Sequence, residues 1–105
     1  MTGKCQNLKF GFTAAATSAD TECSSDGERY GQMLTDCKLG FELGYDCAWV
    51  LEHHFTDYFP TPSPIVVMSH LAAAFPGLSL GSCVLVLPWY NPLRLAEEIS
   101  MLSHF

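Results

Sequence analysis

The sequence is poor in positive charge and has no region where basic residues cluster. Its 105 residues include 5 Lys+Arg against 11 Asp+Glu, which gives a formal net charge of −6. The basic side chains lie far apart along the chain: Lys4, Lys9, Arg29, Lys38 and Arg94. A protein that binds nucleic acid through phosphate contacts needs a contiguous basic surface. We therefore expect no nucleic-acid partner.

Charged residues of both signs are scarce at 15%, whereas hydrophobic residues make up 49%. Such a balance is too apolar for a disordered chain and favours a packed core. The length suits one domain, which we expect to cover residues 1–105. The chain also lacks the GxGxxG and GxxxxGKS/T patterns, so its residues give no support to a phosphate-cradling loop.

Charged residues are absent altogether between Asp57 and Arg94. All six prolines of the chain fall in this stretch: Pro60, Pro62, Pro64, Pro76, Pro88 and Pro92. They divide it too finely for a membrane-spanning helix, so we expect no membrane partner. Near the N-terminus, the apolar run from Phe10 to Ala16 has only about seven residues and is interrupted by Gly11 and Thr13, which favours a strand over a signal peptide.

The five cysteines are odd in number and include no CxxC pair. We interpret them as free thiols of a reducing compartment, which predicts a cytoplasmic protein. They lie at Cys5, Cys23, Cys37, Cys47 and Cys83.

Three apolar segments predict strands, at 8–12, 47–51 and 78–87. The second is uniformly apolar between Asp46 and Glu52, as expected of a central parallel strand covered on both faces. The third is the longest and is rich in valine and leucine.

Three helices are expected to alternate with these strands. Ser25 and Glu28 have the spacing of a capping box at the start of the first helix, and Gly44 is a typical stop for it. The other two helices begin at cap-and-proline pairs, Ser63-Pro64 and Asn91-Pro92. The second is expected to end near residue 74, and the third to continue to the end of the chain.

The order β-α-β-α-β-α with short connections predicts an α/β fold with a parallel sheet. A doubly wound sheet and a β/α barrel are both compatible with this order. In either architecture the functional residues lie at the carboxyl ends of the strands. This rule selects residues 14–16, 52–60 and 87–91.

The pattern Glu52-His53-His54-Phe55 directly follows the second predicted strand. Two imidazoles and a carboxylate at this place are suited to acid–base chemistry or to binding an anion or metal. Metal ligation is the weaker interpretation, because adjacent side chains at a strand end point in opposite directions. The alternative is that both histidines have only structural roles. His54 is a candidate to pair with Glu97, within the chain or across a dimer.

Two further segments have either a ligand-binding role or only a packing role. Gly81-Ser82-Cys83-Val84 interrupts the third strand with small side chains, so a planar ligand can lie against it, or it forms a tight corner under a helix. Trp89 and Tyr90 follow the same strand and either wall a pocket or pack in the interior.

Four stretches together resemble the bacterial luciferase-like flavin monooxygenase family. They are GYDCAWVLEHHFTDY at 44–58, PSP at 62–64, GSCVLVLP at 81–88 and NPLRLAEE at 91–98. Their order and spacing extend the resemblance over roughly residues 8–105.

The resemblance implies a (β/α)8 TIM barrel that oxidises a small organic substrate with dioxygen, using reduced FMN or a deazaflavin. It implies that His53 is the acid–base and orienting residue of the flavin site. It also implies flavin contacts by Ser82, Cys83 and Val84, with a cis peptide at Cys83-Val84, and a further contact by Thr13. The family's usual pair of small residues is replaced here by Cys83 and the β-branched Val84.

A complete barrel needs about 250 residues, and this chain supplies three of eight β/α units. We therefore expect an incomplete barrel, the N-terminal fragment of a flavin-dependent oxidoreductase, inactive alone and unable to retain FMN tightly. The alternative is a non-catalytic truncated barrel that associates with itself or a partner through its exposed third strand and helix. A metal-assisted hydrolase using His53 or His54 is a less favoured third possibility.

Overall fold

Three short parallel strands form the centre of the computed structural model, which describes residues 8–17 and 25–105. They are β1 (Gly11–Ala14), β2 (Cys47–Val50) and β3 (Ser79–Ser82), in the spatial order β1-β2-β3. The ends of the strands are in register, since Ala14 pairs with Val50 and Val50 with Ser82. The parallel sheet and its central second strand confirm the predicted fold class.

Three helices alternate with the strands: α1 (Asp26–Glu42), α2 (Pro64–Ala74) and α3 (Pro92–Leu102). α2 has the predicted bounds, and α3 begins at the predicted proline because the Asn91 side chain accepts hydrogen bonds from the first-turn amides. In the part of the chain that the structure describes, no helix is long and apolar enough to cross a membrane.

The predicted third strand is wrong in length, because the strand ends at Ser82 rather than near residue 87. The Cys83 amide still donates to the Val50 carbonyl at 2.8 Å, but the Val86 amide donates to the Glu52 carboxylate. A 3-10 turn then covers Leu87–Trp89. The valine and leucine content predicted that the strand continues here. Instead, the Glu52 side chain accepts the hydrogen bond from Val86 that a backbone carbonyl of β2 would accept in a longer strand.

The capping box of α1 is formed as the sequence predicts. The Glu28 amide donates to the Ser25 hydroxyl oxygen at 3.3 Å, and the Ser25 amide donates to a Glu28 carboxylate oxygen at 2.7 Å. The hydrogen bonds from the Ser25 amide and hydroxyl lower the pKa of Glu28. At the other end, Gly44 takes a φ of +82°, which glycine adopts without strain.

Alanine substitution at the two N-cap serines, Ser25 and Ser63, is expected to show how much a side-chain capping hydrogen bond adds to the free energy of unfolding. Ser25→Ala deletes a side-chain cap and should lower the free energy of unfolding by about 0.5–2 kcal/mol. Ser63 occupies the same position at α2 but its side chain makes no capping hydrogen bond. Ser63→Ala is therefore the matched control, with a smaller loss in urea unfolding. Equal losses in the two variants would contradict the capping assignment.

The helices pack on one face of the sheet. Ala48, Val50, Leu71 and Cys37 are fully buried there, and burial together with Asp36 raises the pKa of Cys37 to about 11. Gly40 allows α1 to approach the sheet, because a Cβ at this position would lie 2.6 Å from the Phe12 ring.

The opposite face of the sheet is open in the described residues, which corrects the prediction that both faces of β2 are covered. Trp49 lies on this face and is 44% exposed. Its indole spans the sheet, since a Cβ at Gly11 would lie 2.5 Å from Nε1 and one at Gly81 would lie 2.5 Å from Cε3. Apolar composition alone does not distinguish a strand covered by helices on one face from one covered on both.

Cys37, Cys47 and Cys83 are free thiols, as predicted. Cys5 and Cys23 lie outside the described residues.

Candidate functional site

The candidate site lies at the carboxyl edge of the sheet, where the aligned strand ends lead into three loops. The longest loop joins β2 to α2 and carries both histidines. It folds back on itself, because the His53 amide donates to the Thr61 carbonyl at 3.0 Å. Thr61 is only 2% exposed, so this return point is fixed against the core.

His53 stands among aromatic rings at the start of this loop. The imidazole is half-buried and stacks on Phe59, with ring centroids 5.0 Å apart and an interplanar angle of 17°. It also lies 5.9 Å from the Tyr58 ring centroid. Within residues 8–17 and 25–105, no side chain or backbone group hydrogen-bonds to the ring nitrogens. The imidazole is therefore available to exchange a proton or a hydrogen bond with a ligand.

A cavity of about 530 Å³ opens beside this imidazole. Its walls include His53, Phe59, Tyr30, Phe55 and Asp26. Phe55 is 96% exposed and has a φ of 55°, so its side chain is directed away from the core at the tip of the loop. The cavity has a size typical of small-molecule sites.

Two adjacent residues of α1 hold the loop that carries His53. Arg29 is buried, pairs with Asp26 at 3.5 Å and donates a hydrogen bond to the Asp57 carbonyl. The Tyr30 hydroxyl donates to the Pro60 carbonyl. Burial and the Asp26 carboxylate raise the pKa of Tyr30, which keeps its hydroxyl protonated as a donor.

His54 also lines this cavity, but its ring has partners of its own. Its Nε2 lies 2.6 Å from Glu52 Oε1, and its ring stacks on Trp89 at 4.4 Å with an interplanar angle of 9°. The predicted pairing of His54 with Glu97 is therefore wrong within the chain, because the nearer Glu52 occupies Nε2. Adjacent positions at the strand end thus give the two histidines different surroundings.

The Glu52 carboxylate is fully buried and has three hydrogen-bond partners. Besides His54, it accepts from the Val86 amide at 2.8 Å and from the Tyr90 hydroxyl at 3.0 Å, both through Oε2. Burial acts to raise the pKa of Glu52, but the hydrogen bonds from His54, Val86 and Tyr90 outweigh it and leave the pKa below its usual value. Burial and the Glu52 carboxylate raise the pKa of Tyr90 to about 12.

Sequence reasoning grouped Glu52 with the histidines but missed its link to the segment after β3. The available signal was a carboxylate directly after a buried strand, which must find donors when it is desolvated. The sequence did not indicate which donors these are, because Val86 and Tyr90 lie 34 and 38 residues further along the chain.

The predicted cis peptide at Cys83-Val84 is present. Cys83 and Val84 are exposed, and Thr13 is exposed on the same sheet face as Trp49. Ser82 is half-buried and pairs in register with Val50. These four residues lie at the same end of the sheet as His53, but none of them lines the 530 Å³ cavity. In the described ranges there is no group of three or more His, Cys, Asp or Glu placed to hold a metal.

Parallel strands that alternate with helices, with a histidine loop at their carboxyl edge, are consistent with the N-terminal part of a β/α barrel. The family model of the luciferase-like monooxygenases matches residues 9–105. The chain belongs to this family.

Several curated relatives carry names that match this family. The alkanal monooxygenase alpha chain of Photorhabdus luminescens is 37% identical over 66 residues, covering 63% of this chain and 18% of the relative. The alkanal monooxygenase alpha chain of the Kryptophanaron alfredi symbiont is 39% identical over 73 residues, covering 70% and 19%. The oxygenase component of the flavin-dependent trigonelline monooxygenase of Acinetobacter baylyi is 29% identical over 72 residues, covering 69% and 20%. The chain thus spans about a fifth of the length of the relatives it matches.

Proposed function

We propose that the chain is the N-terminal part of a flavin-dependent monooxygenase that uses reduced FMN, or a deazaflavin, and dioxygen on a small organic substrate. His53 is the acid–base residue, and Thr13, Ser82, Cys83 and Val84 contact the flavin. Family membership and the flavin-dependent trigonelline monooxygenase among the relatives support a flavin cofactor. When bound, the reduced flavin supplies the electrons that activate dioxygen.

The observation that carries this proposal is the contrast between the two histidines. His54 forms a hydrogen bond through Nε2 with the buried Glu52 carboxylate, whereas the ring nitrogens of His53 have no hydrogen-bond partner in the described part of the chain. Histidine is the most common general acid or base in enzymes, so an imidazole beside a cavity can hold or move a proton at its ring nitrogen. His53 is therefore the better candidate for catalysis.

The side chains near the carboxyl edge suit a flat, mostly apolar ring. Val84 is 58% exposed and uncharged, and Cys83 beside it is also exposed. Tyr58 and Phe59 bring apolar surface to the loop of His53 and help to exclude water from it. These apolar side chains offer a surface against which a planar ligand can lie.

We propose that the remaining barrel units lie in a longer protein. Phosphate groups in such barrels are commonly bound by the loops after strands 7 and 8, so the three units seen here hold FMN weakly. Assembly into homo-oligomers and a cytoplasmic location belong to the same proposal. The exposed Trp49 face supports the alternative of a non-catalytic chain that covers this face by self-association.

Val84→Glu in the barrel-length protein is expected to weaken FMN binding by about 10²-fold, equivalent to ~2.7 kcal/mol. The reason is that a carboxylate would be desolvated against the flavin ring. Leu93→Glu is the matched control, since Leu93 is 78% exposed on α3. Titrations followed by flavin absorbance measure both affinities. Failure of the unmodified barrel-length protein to perturb the flavin spectrum in either redox state would contradict the proposed function.

A further inference from the structure

We propose that Glu52 is a positioning residue that fixes the segment after β3 to the strand end that carries His53. The proposal rests on the proposed function only in assigning that segment to the flavin. The hydrogen bonds themselves are independent of any ligand. Glu52 does not touch the proposed reacting atoms, and its effect is exerted through residues 83–90.

The first support is the set of donors around the carboxylate. The Glu52 side chain is 0% exposed and accepts from His54, from the Val86 amide and from the Tyr90 hydroxyl. Two of these donors belong to the segment after β3, more than 30 residues further along the chain. Charge-assisted hydrogen bonds of this kind are stronger than neutral ones. The carboxylate therefore joins two loops that the sheet does not join.

The second support is where the strand pairing stops. The Cys83 amide still donates to the Val50 carbonyl, and the next link to the β2 side is the Val86 amide on Glu52. Val84 thus lies between two hydrogen-bonded positions, Cys83, which is bound to the Val50 carbonyl, and Val86, which is bound to the Glu52 carboxylate. The stack of His54 on Trp89 adds a contact beyond the second anchor, and His54 is itself bound to Glu52. Loss of the carboxylate would therefore remove the hydrogen bond from Val86 and free His54 from its place against Trp89.

The third support is the chemistry of the acceptor. An ionised carboxylate only accepts hydrogen bonds, so it suits a site with three donors. Glutamine has nearly the same shape, but its amide oxygen is an uncharged and therefore weaker acceptor for the Val86 amide and the Tyr90 hydroxyl. Glu52→Gln should therefore weaken the link to Val86 without leaving a cavity.

The test compares 1H–15N spectra of the chain and of Glu52→Gln. We expect the Val86 amide proton to move upfield by a few tenths of a ppm or more, with smaller shifts through residues 83–90 and little change in α1. Glu97→Gln is the matched control, because Glu97 is exposed on α3. Perturbations confined to residues 51–54, with an unmoved Val86 amide, would overturn the proposal.

A titration of the unmodified chain covers the case in which Glu52→Gln does not fold. The Val86 amide shift should follow a carboxyl titration below pH 4.5, the usual value for glutamate. The titratable groups that contact Glu52 are His54 and Tyr90, and Glu98 acts on Tyr90. A Val86 amide that shows no such step would overturn the link to Glu52.

Addition of FMN at millimolar concentration separates this proposal from the proposed function. In the unmodified chain, FMN should shift the amides of Cys83 and Val84, and Glu52→Gln should reduce these shifts at equal FMN. Equal shifts in the two proteins would overturn the positioning role. If the unmodified chain shows no FMN shifts, the flavin titration of the barrel-length protein decides the proposed function, and the Val86 result decides separately whether Glu52 holds the segment.

Discussion

Replacement of His53 by alanine in the barrel-length enzyme is expected to lower kcat by about 10²- to 10⁴-fold, the usual contribution of a positioned acid–base group. The flavin dissociation constant should change far less, because the ring of His53 contributes one edge of the site. Its aromatic neighbours Tyr58 and Phe59 remain, and Arg29 and Tyr30 still hold the loop. Steady-state turnover and flavin titration together measure the two effects.

His53→Asn and His104→Ala serve as controls for this experiment. Asparagine retains a polar group near the ring nitrogens but cannot exchange a proton near neutral pH, so it should be nearly as slow as alanine. His104 is exposed near the end of the chain, and its replacement should leave turnover unchanged. Unchanged kcat in both His53 variants would remove this residue from the mechanism.

Leu71→Ala is expected to reduce the free energy of unfolding by about 2–5 kcal/mol, because it deletes a core side chain and leaves a cavity. Leu71 is 0% exposed in α2, and this helix packs on both β2 and β3. The loss should also weaken the support of the strand ends that carry the site. Chemical denaturation followed by circular dichroism measures the change.

Leu93→Ala removes the same atoms from a surface position. Leu93 is 78% exposed in the first turn of α3, so the change should cost much less than at Leu71. Similar losses at the two positions would mean that α2 does not form the core described here.

Local sequence signals predicted the parts of the fold that depend on neighbouring residues. Ser25 with Glu28, Gly44 and the pair Asn91-Pro92 mark helix ends because their hydrogen bonds and backbone angles are decided within one turn. The parallel direction of the strands followed from the alternation of strands and helices, because parallel strands require crossovers. The cis peptide at Cys83-Val84 came from the family resemblance rather than from composition.

Interactions between distant residues were not predictable in the same way. The end of β3 depends on whether the Val86 amide meets a strand or the Glu52 side chain, and no local pattern contains that choice. Glu97 was a candidate partner of His54 although Glu52 lies two residues away, because strand alternation alone does not reveal how the backbone turns after β2. The open face at Trp49 likewise depends on what surrounds the sheet.

A crystal structure of the barrel-length protein with FMN bound would test the central claim most directly. The quantity to measure is the distance from the ring nitrogens of His53 to the nearest flavin atom, with the contacts of Cys83 and Val84 to the ring. We predict that His53 lies within hydrogen-bonding reach of the flavin, directly or through one water, and that the Cys83-Val84 peptide lies against the ring. Flavin bound at the opposite end of the strands, or His53 turned out to solvent, would contradict the account.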